Sequence, residues 1–397
     1  LLRQTLSVLP DLREAAGRAA FEAAIAAAQS VTEADPVRRA AQIRRMLPLE
    51  LATAALGQAD LRARAQDKFG PQAAELYFTA DGLEQATRRE LADHRARRFA
   101  ATGAASVLDL CCGIGADALG FGRVGLTVTA VERDPATAAI AEANLAGLAP
   151  PALVEVGEAE AADWRSAESV FLDPARRSDR GRTFDPRAFS PPFEFTLQVL
   201  TEARLAAAKL SPGLRHELIP AALEAEWVSF RGGVKEAVLW SSGFRSDRVT
   251  RRATVLSAGA QLTDADPVEA AVRPIGAYLL EPDGAVIRAG LVQQAAAALD
   301  AARIDEHLAY LTADAPTASA LARSFRVLEV LPYSVRRIKA ELRQREVGIV
   351  EIKKRGVDVD PAALRRALKP SGPNSLTLLL ARVGEQHLAV LAEAASR

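Results

Sequence analysis

Ser106-Val107-Leu108-Asp109-Leu110-Cys111-Cys112-Gly113-Ile114-Gly115-Ala116-Asp117 is the stretch from which the fold is read. A mostly apolar run containing Asp109 breaks into Gly-x-Gly and resumes as a helical pattern. This is how a buried parallel strand ending in a tight turn reads. Glycine at Gly113 and Gly115 admits left-handed dihedrals and lets a ligand approach the backbone, which a Cβ would prevent. In a doubly wound sheet such a turn lies at the carboxyl end of its strand, where ligands bind.

A dinucleotide site asks for Gly-x-Gly-x-x-Gly and a helix N-terminus aimed at a pyrophosphate. Here Asp109 precedes the turn, and Ala118 stands at the third glycine position. A carboxylate repels phosphate but suits a cation such as the amino group of S-adenosylmethionine. The stretch resembles motif I of class I S-adenosylmethionine methyltransferases; a strand-turn-helix without a ligand is the plainer alternative. Leu126–Glu132 reads as the second strand and ends on an acid about twenty residues after the glycines, as ribose recognition requires. Asp134-Pro135 opens a helix through Asn144-Leu145 that resembles the family's second motif. Leu153–Ala159 reads as the third strand and its turn, where the family contacts adenine. Ser169–Pro174 reads as a fourth strand ending in Asp173-Pro174, where the methyl acceptor sits.

The composition, 49% hydrophobic and 25% charged over 397 residues, is that of a soluble globular protein of two or three domains. With no long uncharged apolar run and no secretory pattern, no membrane span is expected and the cytoplasm is the default location. The two cysteines, Cys111 and Cys112, are adjacent, and the four histidines are scattered, so neither a disulfide nor a metal site is expected. Formal net charge is zero, but Arg323 to Arg397 carries 15 Lys and Arg against 8 Asp and Glu, and the remainder 35 against 42. A basic terminal module on an acidic body suits a polyanionic partner; the alternative is a solvated surface with a chance asymmetry.

The pattern along the chain divides it into a helical domain over 1–67, a catalytic α/β domain over 68–275, a small α/β insert over 276–322 and a basic module over 323–397. The first part is Ala-rich, with helical spacing punctuated by Pro10 and Asp35-Pro36. Leu76–Thr87 leads into a basic helix ending at Phe99, and Glu84-Gln85-Ala86-Thr87 offers polar groups suited to an amino-acid moiety. After Asp173 comes a long polar loop with Arg176, Arg177, Arg180 and Arg182. A helix is expected to run through Leu205–Leu210 to Ser211-Pro212-Gly213, and Ala225–Phe230, Val234–Trp240 and Ala253–Leu256 read as later strands. Pro282-Asp283-Gly284 is a turn signal between two short apolar runs, and Leu308–Leu311 is strand-like. The final module reads strand, helix, strand, helix, strand, strand, with Ser334 and Asp360 as N-caps and Pro361 at a first helical position.

With these pieces in place, the chain from about Lys68 onward resembles the bacterial class I methyltransferases that carry a C-terminal THUMP-like domain. The residues carrying the resemblance are Leu83–Thr87, Asp109–Asp117, Asp173-Pro174-Ala175-Arg176, Lys209–Gly213 and Ile352-Lys353-Lys354-Arg355-Gly356. The resemblance implies a Rossmann-like α/β methyltransferase sheet, preceded here by the helical domain, and a C-terminal α/β region made of a ferredoxin-like insert and a THUMP-like module. It implies S-adenosylmethionine as cofactor, held by Gln85, Thr87, Asp109, Cys111, Gly113, Gly115, Asp117, Glu132, Arg133, Glu158, Ala159 and Asp173. It puts catalysis on Asp173, Pro174 and Arg176. RNA, tRNA or rRNA, is the implied substrate, with Arg177, Arg180, Arg182, Lys209, Arg336, Arg337, Lys353, Lys354 and Arg355 as its contacts. THUMP domains proper usually precede the catalytic domain, whereas this module follows it.

Amine methylation usually employs Asn/Asp-Pro-Pro-aromatic, and here Ala175 and Arg176 replace the last two residues, much as in the Asp-Pro-Pro-Arg of enzymes that methylate carbon-5 of pyrimidines. That chemistry normally needs a cysteine nucleophile near the acceptor, and both cysteines lie in the cofactor turn. A ring nitrogen or exocyclic amine is therefore the expected acceptor, with Asp173 taking its proton or hydrogen bond. A protein or small-molecule methyltransferase, and an idle RNA-binding scaffold, remain the other readings. Nothing in the sequence fixes the oligomeric state.

Overall fold

The structure is a computed structural model that describes residues 11–176, 189–246 and 248–395. Arg177, Arg180 and Arg182 lie outside the described residues, as does the side chain of Arg176. The chain divides into two compact units, Leu1–Leu210 with Leu239–Phe244, and Ser211–Val238 with Arg245–Arg397.

The first unit begins with helices over Ala15–Ser30, Pro36–Met46 and Leu49–Phe69. Phe21, Ala24, Ile25 and Ala28 recur at helical spacing, are buried, and pack towards the small residues Ala52, Ala55 and Ala59 of the long helix. Asp35 accepts from the backbone N–H groups of Val37 and Arg38 and so starts the second helix, with Pro36 in its first turn. Two more helices, Ala80–Gln85 and Arg89–Ala100, precede the sheet.

Strands β1 (Ser106–Leu110), β2 (Thr127–Glu132), β3 (Leu153–Val156) and β4 (Val170–Leu172) follow. A short antiparallel pair, β5 (Ala175–Arg176) and β6 (Phe189–Ser190), comes next, and then β7 (Ala206–Leu210). The order β7-β4-β1-β2-β3 is parallel throughout. Helices Ala116–Arg123, Pro135–Leu145 and Phe193–Glu202 make the crossovers. The strand order reverses at β1, so the crevice beyond its carboxyl end is where such a sheet takes a ligand. Phe99, Phe121 and Phe171 fill the layer beneath, with Phe121 5.0 Å from Phe99 and 5.4 Å from Phe171 between ring centroids.

The helix expected through Leu205–Leu210 ends instead at Glu202, and Ala206–Leu210 is β7, buried except at Lys209. Alanine favours helix in isolation. Here the three alanines pair with Val170, Phe171 and Leu172 of β4, and small side chains suit a strand covered on both faces.

In the second unit β8 (Glu224–Phe230) pairs in parallel with β10 (Arg251–Val255), which pairs antiparallel with β11 (Ala260–Thr263). Strand β9 (Gly233–Trp240) lies between β8 and β10 in sequence, and its last two residues belong to the first unit. A seven-stranded sheet follows. Its strands are β12 (Tyr278–Pro282), β13 (Ala302–Arg303), β14 (Leu311–Ala313), β15 (Ala322–Pro332), β16 (Val347–Arg355), β17 (Asn374–Val383) and β18 (Gln386–Ala394), in the order β13-β14-β12-β15-β18-β17-β16. The strands around residues 278–313 thus share one sheet with the terminal module. Helices Val335–Gln344 and Pro361–Leu368 cover one face of it through Ile338, Leu342, Leu364 and Leu368, against Val350, Leu376, Leu378 and Leu380. Leu279, Tyr310, Phe325, Leu379 and Val390 form the core on the other face.

Two local readings change here. Pro282-Asp283-Gly284, read as a turn between two apolar runs, leads from β12 directly into a helix: Asp283 accepts from the Ala285 N–H and caps Gly284–Ala289. The strand placed at Leu308–Leu311 begins at Leu311, where pairing with Leu280 starts. Among the described residues no helix is long and apolar enough to cross a membrane.

Candidate functional site

The turn after β1 has three left-handed residues, Cys111 (φ 64°), Gly113 (φ 57°) and Gly115 (φ 85°). A Cβ added at Gly113 would meet nothing within 4 Å, so the turn borders open space there, whereas one at Gly115 would lie 3.3 Å from Leu145. Glu132, the last residue of β2, accepts from the N–H of Gly113 at 3.1 Å and of Asp134 at 3.0 Å. Its carboxylate is thereby fixed beside the turn.

Residues 76–87 are laid against this turn by side chains from two helices. Asn144 accepts from the Tyr77 N–H at 2.7 Å and donates to the carbonyls of Tyr77 (3.1 Å) and Ile114 (2.9 Å). From the long helix Leu49–Phe69, Gln58 brackets Phe78 through both its N–H and its carbonyl, at 3.0 and 2.7 Å. Arg62 donates to the Leu76 carbonyl at 2.9 Å and pairs with Glu22 at 2.6 Å. Lys68 donates to the carbonyls of Leu83, Glu84 and Ala86 at 2.6, 2.7 and 3.0 Å. Burial, with the charges of Arg88 and Lys209, pushes its ammonium down to about 8. Gly82 passes so close that a Cβ would sit 2.6 Å from the Ile114 side chain. Sequence reasoning found nothing catalytic in this helix. The available signal was Gln58 and Arg62 on the face that also buries Ala55, Ala59 and Ala65.

Beyond the turn, charges from four elements converge. Register between β4 and β7 brings Asp173 beside Lys209, and the two form an ion pair. Lys209 also donates to the Thr87 hydroxyl at 3.1 Å. Thr87 donates to Asp117 at 2.7 Å, and Asp117 forms an ion pair with Arg95, which is completely buried. The Arg95 guanidinium also lies 5.2 Å from the Phe171 ring centre. Asp109 has no solvent exposure, and neither of its carboxylate oxygens has a hydrogen-bond partner.

Three carboxylates thus face two cations. Burial, reinforced by the charges of Asp117 and Asp173, pushes the Asp109 carboxyl well above its ordinary range. Burial would raise Asp117 too, but the Arg95 and Lys209 charges hold it below the usual carboxylate value. Asp173 ends up raised, because burial and the Asp117 charge outweigh Lys209. A buried carboxyl group with no hydrogen-bond partner suits a nearby cation, whose charge would favour its ionised form, and S-adenosylmethionine carries two positive groups.

Of the site residues expected from sequence, Thr87, Asp109, Asp117 and Asp173 come together in this cluster, and Cys111, Gly113, Gly115 and Glu132 form the turn. Arg133 donates to the Ser190 hydroxyl at 3.1 Å. Gln85 and Glu158 are exposed, while Ala159 and Pro174 are buried. Lys209, expected among the RNA contacts, is instead a member of the cluster, because β7 is a strand. Arg95 was read only as part of a basic helix; it shares the face of Leu91, Ala92 and Phe99, a spacing that marks it as inward. Lys353 and Arg355 are not free cations either: both pair with Glu281 of β12, at 2.6 and 3.4 Å, while Lys354 on the opposite face is exposed. Arg336 and Arg337 are exposed.

Residues 322–394 match the THUMP domain-like family. Over 333 residues the chain is 36% identical to an uncharacterised S-adenosylmethionine-dependent methyltransferase of Mycobacterium tuberculosis, covering 82% of this chain and 91% of that protein. Its fold is that of a proposed methyltransferase from Porphyromonas gingivalis, with a TM-score of 0.75 and 21% identity, over 95% of this chain and 98% of that one. The chain therefore belongs to the S-adenosylmethionine-dependent methyltransferases, with a THUMP-like domain over residues 322–394.

Proposed function

We propose that this protein methylates a base nitrogen of RNA, with Asp173 as the group that takes the proton. The observation that carries the reading is the Asp173 carboxylate: it stands at the carboxyl end of β4, joined through Lys209 and Thr87 to Asp117 beside the glycine turn. The bound cofactor supplies an electrophilic methyl group on a sulfonium. When bound it would give that methyl group to the acceptor nitrogen and leave as a neutral thioether, and Asp173 would take the N–H proton, a task its raised affinity for protons suits. Glu132, held by two backbone N–H groups, accepts from the ribose hydroxyls, and Asp109 lies buried beneath the turn as the carboxylate nearest the cofactor's positive end. RNA as the substrate is supported by the match of residues 322–394 to the THUMP domain-like family and by the basic charge of that module.

Neither cysteine serves as a nucleophile in this reading. Burial, with the nearby carboxylates, raises both thiols far above neutrality, so neither supplies thiolate. Replacement of both by serine should leave at least half of the methyl transfer; loss of turnover in a folded double variant would return a covalent route to consideration. Glu132→Ala should weaken S-adenosylmethionine binding about tenfold or more by calorimetry, or at least about 1.4 kcal/mol. Unchanged affinity would remove Glu132 from the ribose site. The substrate itself is tested by transferring labelled methyl groups to RNA from a strain lacking the protein, followed by nucleoside mass spectrometry. Label in a methylated base nitrogen is expected; label found only in protein or small molecules would refute the RNA assignment.

A further inference from the structure

We propose that the terminal module meets RNA through the outer face of its two helices, Val335–Gln344 and Pro361–Leu368, and not through the strand-end run Lys353-Lys354-Arg355; this rests on the RNA reading above. The module's cations fall into two groups. On the strands and strand ends nearly all are satisfied within the protein. Arg323 pairs with Glu351 at 3.3 Å, Arg326 with Glu393, and Arg382 with Glu385 at 3.1 Å. Lys353 and Arg355 share Glu281, and their side chains are only 21% and 27% exposed. The two cations on Glu281 sit in a mostly buried contact, so a phosphate would have to displace Glu281 and leave it desolvated without a partner.

The helices differ. Among the described residues, Arg336, Arg337, Arg343 and Arg366 are exposed and enter no ion pair with an acid. The one acid within either helix, Glu341, is engaged by Arg345, and Asp360 is committed to capping. The periodicity explains this. Ile338 and Leu342 turn one face of the first helix into the core, which leaves Arg336 and Arg343 on the outer side with the half-buried Lys339 at its edge. Seven residues at 1.5 Å each stretch this row over roughly 10 Å, enough to meet more than one phosphate. Leu364 and Leu368 do the same for the second helix and turn Arg366 outward. The two helices pack beside each other, so the rows form one surface.

The chemistry of this surface selects its partner. Between the arginines stand only alanines and polar residues, with no exposed aromatic or large aliphatic side chain on either helix. A protein interface centres on such anchors, and a membrane-bound helix lays its apolar face into the lipid, whereas both apolar faces here are spent on the core. A phosphate backbone needs charge alone.

The test uses the full chain with total tRNA and, separately, rRNA as probes, and dissociation constants are measured over a series of KCl concentrations. In the triple variant Arg336→Gln, Arg343→Gln, Arg366→Gln, the slope of log affinity against log salt should fall by about 2, since each released phosphate contact contributes about 0.7–0.9. Cofactor affinity and melting temperature should stay at the wild-type values. The double variant Lys353→Gln, Arg355→Gln should keep the wild-type slope while its melting temperature drops, because Glu281 loses both partners. A wild-type slope in the triple variant, or a reduced slope in the double variant, would overturn the assignment of the surface while leaving the RNA reading intact. Wild-type protein that binds neither tRNA nor rRNA, or binds them without salt dependence, would overturn both.

Discussion

Asp173→Ala is expected to lower methyl transfer by about 100-fold to 10,000-fold, the range for loss of a positioned proton acceptor, while cofactor affinity moves by less than about tenfold, or ~1.4 kcal/mol. The two effects should separate because Asp173 stands after β4, tied to Lys209, while Asp109 and Glu132 stand at β1 and β2 beside the glycine turn. The pH dependence follows from the direction of its shift. Burial raises the Asp173 pKa, so the carboxylate forms only above the ordinary aspartate range, and turnover should climb with pH through that raised value. Its effect on folding has the opposite sense: the folded state binds the proton more tightly, so this group removes stability as pH rises from the unfolded pKa to the folded one. Asp173→Asn should flatten both profiles. Single-turnover rates and calorimetry on the same preparation check this, and full turnover by the alanine variant would remove Asp173 from catalysis.

The largest structural effect is expected from Arg95→Met. Arg95 has no exposed surface and is the buried ion-pair partner of Asp117 in a cluster that already holds one carboxylate more than it holds cations. Removing one member of a buried pair costs about 3–5 kcal/mol, because the remaining charge stays desolvated and uncompensated. Asp117→Asn added to Arg95→Met should recover a substantial part of that loss, which a packing defect alone would not permit. The sign of the pH effect is a second check. Arg95 helps hold Asp117 below its ordinary pKa, so the stability this pair contributes is present above the unfolded value and disappears as pH falls through the lower folded one. In the Arg95 variant that acid-side loss should vanish. Urea denaturation at several pH values measures both, and a single variant within 1 kcal/mol of wild type, by the scale of surface substitutions, would contradict the buried-pair account.

What the sequence by itself determined was local and periodic. The apolar run into Gly113 and Gly115, the acid ending β2, the Asp-Pro after β4 and the alternation of strand and helix patterns in the last module all obey short-range rules of dihedral freedom, capping and hydrophobic spacing. These settled the class of fold and the end of the sheet at which to look. Where they failed, the deciding partner was distant in the chain. Ala206-Ala207-Ala208 prefers helix until β4 offers it a ladder, and only then does Lys209 meet Asp173, 36 residues earlier. Arg355 reads as a free cation until β12 brings Glu281 across 74 residues of sequence. Gln58, Arg62 and Lys68 look like ordinary helix residues until the backbone of residues 76–86 is laid against them. A charged or polar side chain can be satisfied by water or by any oppositely disposed group. Its sequence neighbours therefore do not say which, and only the tertiary structure decides whether it stays on the surface or becomes part of the site.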